Sequence, residues 1–205
     1  MNRRIKNLLL WTYALLGALL VVLLLRMFVC TTCVMPCGEL LFVNKWSYGL
    51  RTPFPSLFGY HRLLFEPVQT GDKVAFDNPL ENGPLEFRQL YVCHCAATTG
   101  STIQLHGKPF RIPRKGESIE VTSENKALLH EVISQHEKEQ AIIGSDGTLY
   151  VDGIPITHYT FTHNYYWMEV GNKEHLLDSR HFGLIPEELI IGRVFYEIEA
   201  TKGIL

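Results

Sequence analysis

The run from Leu8 to Leu25 carries no charged residue, and no other feature of the chain constrains its folding as strongly. As an α-helix it spans roughly 27 Å, close to the hydrocarbon thickness of a bilayer. Arg3, Arg4 and Lys6 precede it and Arg26 closes it. That bias of basic residues predicts a cytoplasmic N-terminus and an extracytoplasmic remainder. Trp11 and Tyr13 stand near the basic end, where aromatic rings favour the membrane interface. A cleaved secretory leader has a shorter apolar region and ends at a small-x-small site. Arg26-Met27-Phe28-Val29 offers no small residue there, and Val29 is too large to precede a lipoprotein-type Cys30. The reading is therefore residues 1–7 as a cytoplasmic N-terminus, 8–25 as one uncleaved transmembrane helix, and 26–205 as an extracytoplasmic domain.

The 205 residues have room for that helix and one domain of ordinary size. The net charge of -2, with Lys and Arg scattered, excludes the basic stripe that a nucleic-acid partner requires. Glu39 to Lys45, Lys73 to Phe76, Leu90 to Ala97, Tyr159 to Met168 and Ile190 to Ile198 read as strands, bounded by Gly, Pro, Asn and Thr turns. Asp146-Gly147 and Asp152-Gly153 flank Thr148 to Val151, the signature of a hairpin. Between residues 124 and 140, Leu128, Leu129, Val132 and Ile133 recur at helical spacing among polar residues. This predicts an amphipathic helix inserted against the β core, with His130 and His136 on its solvated side.

Three segments carry a resemblance. Leu41-Phe42-Val43-Asn44-Lys45-Trp46-Ser47-Tyr48-Gly49 is similar to the strand that follows the nucleophile in bacterial type I signal peptidases. Gly71-Asp72-Lys73-Val74-Ala75-Phe76 is similar to their Gly-Asp-x-Val-x-Phe strand. Asp178-Ser179-Arg180-His181-Phe182-Gly183-Leu184-Ile185-Pro186, with Ile191-Gly192-Arg193 after it, resembles their Asp-Ser-Arg-x-x-Gly-x-Val-Pro box. The resemblance covers most of the chain and rests on the order and spacing of these pieces. It implies a mainly β fold: a signal-peptidase-type coiled β-sheet domain with a small inserted helix, preceded by one N-terminal transmembrane helix. It also implies an endopeptidase of the cell (inner) membrane that removes signal peptides from exported preproteins, with no cofactor and no metal. Its partners are then the membrane, the preproteins or their signal peptides, and another signal peptidase if the chain serves as a companion subunit.

The residues that carry the family's chemistry differ. In the family a Ser attacks the scissile carbonyl and a neutral Lys takes its proton. The Ser-Met-x-Pro-Thr motif matches Cys33-Val34-Met35-Pro36-Cys37, which puts Cys33 at the nucleophile position and Thr31 at that of a hydroxyl that binds the oxyanion. The Tyr-Ile-Lys-Arg strand matches Tyr91-Val92-Cys93-His94, which puts Cys93 at the base position. A thiolate is a strong nucleophile, so Cys33 alone is compatible with hydrolysis. His94 is then the candidate base, although adjacent side chains on a strand point to opposite faces. Asp178, Ser179 and Arg180 remain as support, while a supporting Ser is replaced by Leu176. Three readings stay open: a Cys33–His94 peptidase, a catalytically degenerate relative that binds peptides or a partner peptidase at the membrane surface, or a site converted to redox or metal chemistry.

The resemblance further implies that Cys33 and Cys93 are neighbours, which would allow a disulfide between them in an extracytoplasmic domain. Cys30, Cys33, Cys37, Cys93, His94 and Cys95 also hold enough soft ligands for a metal, but neither spacing is a zinc-finger framework. The plainer reading makes Cys30 and Cys95 small buried apolar residues. Trp46, Tyr48 and Phe58 read either as core or as an apolar surface that touches the membrane.

Overall fold

A computed structural model describes residues 3–35, 38–105, 107–137, 139–170 and 177–198. Pro36, Cys37, Gly171, Asn172, His175 and Leu176 lie outside the described residues. Helix α1, Arg3–Phe28, is apolar on every side between Leu8 and Leu25 and exposed from Arg4 to Arg26, a surface that suits solvation by lipid. It is longer than the 8–25 reading at both ends, since Arg3 to Lys6 and Arg26 continue the helical turns.

The end of α1 is fastened to the domain. The Lys45 ammonium donates to the carbonyls of Arg26 (3.0 Å) and Met27 (3.2 Å), and the Trp46 indole to that of Phe28 (2.6 Å). These bonds satisfy carbonyls that a helix C-terminus leaves without partners.

Seven strands form one antiparallel sheet: β1 Cys30–Val34, β2 Leu40–Asn44, β3 Lys73–Asp77, β4 Leu90–Ala97, β5 Tyr165–Glu169, β6 Ile185–Pro186 and β7 Ile190–Ile198. Their order in space is β1-β2-β7-β3-β4-β5-β6, so β1 is an edge. Register shifts within β7, and one in β5, bend and twist the sheet into a coil. Gly192 belongs to one of these shifts. A Cβ there would lie 2.1 Å from the Asn44 carbonyl oxygen, so only glycine lets β7 approach β2.

The remaining segments form a second lobe of core. Hairpins pair Thr102–Leu105 with Lys108–Arg111, and Ala141–Ile143 with Leu149–Val151 and Ile154–Ile156. Helix α2, Lys126–His136, lays Leu129, Val132 and Ile133 on Phe110, Phe161 and Tyr165. It is shorter than the 124–140 reading. At its start the Asn125 carboxamide accepts from the Thr122 amide and holds a turn (2.8 Å). At its end the Glu137 carboxylate is drawn away to Thr162 and Tyr165. The 159–168 stretch likewise divides, into His158–Thr160 and β5, because the Phe161–Asn164 segment turns to make these contacts.

His136 is buried, which corrects its expected solvated position; His130 is half-buried. Burial, then the charge of His163, holds the His136 imidazole down to about 4. It is neutral in the fold, while in the unfolded chain it titrates near 6.5. Between those values the unfolded chain binds the extra proton, so stability falls as the pH drops, by about 3 kcal/mol at most. Burial raises the neighbouring Glu137 carboxyl, but hydrogen bonds from His163, Thr162 and Tyr165 outweigh it and hold it at about 2. Its contribution is lost as pH falls below about 4.5. His163 is raised by Glu137 and acts the other way, losing its contribution as pH climbs through its folded value. Urea unfolding of the full chain in detergent should therefore show a weaker fold at pH 4.5 than at pH 7, with much of that loss absent in His136→Leu. An identical loss in both chains would remove His136 as its cause.

Candidate active site

The box that begins at Asp178 is a latch. Asp178 caps helix α3, Ser179–Phe182, and its carboxylate is fully buried. It accepts from the amides of Arg180 (3.0 Å) and Val170 (3.2 Å), and from the Arg180 guanidinium at 2.7 Å. The Ser179 hydroxyl, also buried, accepts from the Met168 amide at 2.8 Å. Both residues thus tie α3 to β5, and β5 pairs with β4 so that Glu169 stands opposite His94. Burial raises the Asp178 carboxyl, but its bonds to Arg180 and Val170 outweigh this and hold it below the usual range. His181 is exposed, with its ring 3.6 Å from Asp178.

Strand β4 carries the residues at the base position, and its alternation sorts them. Cys93 and Cys95 point into a core with Val74, Phe76, Tyr166, Met168 and Phe182. Val92 points the other way, into a cluster with Cys33, Leu41, Val43 and Ala75. Cys33 and Cys93 therefore pack on different sides of the sheet. Both are free thiols in the structure, and the expected Cys33–Cys93 disulfide is not formed. His94 follows Val92 on the side that faces Cys33, two residues along, and is exposed. The expectation that Cys93 faces Cys33 while His94 turns away is thus reversed. Among the described residues no hydrogen bond joins Cys33 to His94.

None of the buried thiols is primed. Cys33 is 6% exposed, and burial pushes its thiol up. The Cys93 thiol is pushed up to about 12 by burial and by the nearby Asp178 carboxylate, and it lies 3.6 Å from the Leu177 carbonyl. Cys95 is pushed up to about 12 by burial and then by Asp72, while half-buried Cys30 lies at the start of β1. Among the described residues no group of three or more His, Cys, Asp or Glu side chains is arranged to hold a metal.

Thr31 is half-buried on β1 and lines a cleft of about 420 Å³ between the end of α1 and the loop after β2. Thr32, Lys45, Arg51, Asp77, Glu86 and Arg88 share its walls, and Cys33, Cys93 and His94 do not. Sequence reasoning missed this cleft. Its signal was the recurrence of Arg and Lys in segments that no motif linked: Arg26, Lys45, Arg51 and Arg88. Around it, Trp46 and Phe58 are exposed, whereas Tyr48 is core, with its hydroxyl donating to Asp72 at 2.9 Å. Asp72 closes a turn with Gln69 and also accepts from the Gln69 amide.

An apolar N-terminal helix fastened to a coiled antiparallel sheet that carries a latched Asp-Ser-Arg box fits a membrane-anchored protein of the signal-peptidase class. A family model described as signal peptidase, peptidase S26, matches residues 8–198, and the chain belongs to that family. No curated protein matches it.

Proposed function

We propose that this chain receives signal-peptide segments of exported proteins at the extracytoplasmic face of the membrane and holds them without hydrolysis. One observation carries the reading: Cys33 and Cys93, at the family's nucleophile and base positions, are buried on different sides of the sheet. A thiol kept protonated attacks poorly, and a thiol at the base position cannot take its proton at neutral pH. Binding has a place without them. Among the described residues the outer edge of β1 is unpaired, so an extended peptide can add to it as a strand with alternate side chains in pockets. The attachment of α1 holds that edge near the helix end, and the basic residues before α1 support a domain outside the membrane.

A second reading, a Cys33–His94 peptidase, is favoured by His94, which is exposed on the side of β4 that faces Cys33. One experiment separates them. Full-length protein in detergent is mixed, under reducing conditions, with a preprotein bearing a photo-crosslinker in its signal peptide. Crosslinking without cleavage, unchanged in Cys33→Ala, is the expected result. Cleavage lost in both Cys33→Ala and His94→Ala would establish the peptidase instead. Crosslinking no stronger than to the mature protein would remove the binding role.

A further inference from the structure

We infer that the cleft beside the end of α1 binds the phosphate of an anionic phospholipid headgroup. The site takes in Thr31 and Thr32 of β1, the strand whose edge is proposed to receive the peptide, but lipid retention is read without peptide or hydrolysis. Arg26, Lys45, Arg51 and Arg88 line the cleft against two carboxylates, Asp77 and Glu86. Both carboxylates are already engaged. Asp77 accepts from Arg51 at 2.9 Å, and Glu86 accepts from the Ser56 amide at 2.9 Å and from its hydroxyl at 2.7 Å. The cleft therefore keeps an excess of positive charge, and a bound anion would relieve it.

Two further observations point to a ligand with phosphate oxygens. The Arg51 Nε–H is buried and has no hydrogen-bond partner, which is costly for a guanidinium whose side chain is 13% exposed. The Thr31 and Thr32 hydroxyls also line the cleft. A planar guanidinium and nearby hydroxyls suit the several acceptor oxygens of a phosphate. Burial, followed by the charge of Arg51, lowers the Lys45 ammonium, in keeping with crowded cations.

Position selects the lipid over other phosphates. Arg26, Met27 and Phe28, the last residues of α1, form one wall, so the cleft lies where the helix leaves the hydrocarbon. Half-exposed Phe54 lines it, and exposed Leu57 and Phe58 follow in the short helix Pro55–Phe58, an apolar surface for acyl chains next to a basic pocket.

Native mass spectrometry of the full chain in detergent tests this with phosphatidylglycerol and phosphatidylcholine titrated separately. Preferential retention of phosphatidylglycerol is expected. Arg26→Gln combined with Arg88→Gln should weaken it roughly thirtyfold, with the melting temperature as a control for folding. Glu86→Gln, which removes a negative charge, should strengthen it. Retention of the lipid in excess inorganic phosphate upholds the lipid as source, and its displacement upholds a site that reads free phosphate. Equal retention of the two lipids, or unchanged retention in both the double variant and Glu86→Gln, would overturn the site.

Discussion

At neutral pH, iodoacetamide should label Cys93 and Cys95 roughly a thousandfold more slowly than an ordinary exposed thiol. The reactive species is the thiolate. Both thiols are pushed from the usual 9.0 to about 12, Cys93 by burial and Asp178, Cys95 by burial and Asp72. Three pH units separate those values, so the thiolate fraction falls by about a thousandfold, and burial slows access further. Cys33 should also label more slowly than an exposed thiol, since burial raises it too. Time-resolved alkylation of the native chain, read by peptide mass spectrometry against a guanidinium-unfolded control, measures this. Rapid native labelling of Cys93 would contradict its place in the core. A Cys33–Cys93 peptide pair under non-reducing conditions would contradict their separation by the sheet. The result bears on function, because a slow Cys33 is a poor nucleophile whatever base stands near it.

Replacing Asp178 by Ala should destabilise the full chain by about 3 kcal/mol, a large share of the stability of an ordinary domain. The loss does not come from a surface ion pair. The Asp178 carboxylate is buried and accepts from two backbone amides, which its removal leaves without partners. Arg180→Ala should cost less, because its side chain is 63% exposed and the amide bonds to Asp178 survive. Urea unfolding of both variants in detergent decides this. Equal losses would mean that the guanidinium, not the amides, depends on Asp178. The Asp-Ser-Arg box therefore has a structural role of its own. The box holds α3 on β5, and so holds the strand pair that carries Cys93, whether or not any bond is cut.

The anchor was legible because a bilayer imposes a length and an absence of charge that eighteen residues either satisfy or do not. The strands β2, β3, β4 and β7 were legible because β-branched and aromatic residues stood between turn formers. Helix α2 was legible in kind, but not in extent. Its ends are set by where Asn125 and Glu137 find partners, and those partners are distant in sequence or depend on a turn. His136 was misplaced for a related reason. A polar residue on an amphipathic helix reads as solvated, yet the Tyr165 ring and the loop that brings His163 cover it.

The site divides along the same line. Motif spacing assigned Cys33 and Cys93 to the dyad positions and Asp178, Ser179 and Arg180 to a support, because spacing along the chain is local information. It could not say which face of the coiled sheet each thiol joins, since that depends on the register between strands and on the shifts in β5 and β7. Nor could it bring Arg26, Lys45, Arg51 and Arg88 into one cleft, since four segments meet there only after the sheet has closed on the end of α1. The sequence by itself determined that an N-terminal helix is long and apolar enough to anchor the chain in a membrane, and which family it belongs to, through hydrophobic length and ordered motifs. Only the tertiary structure decided which thiols meet, how they ionise and where charge gathers. Burial and opposing charge are properties of neighbours in space, and coiling of the sheet is what makes them neighbours.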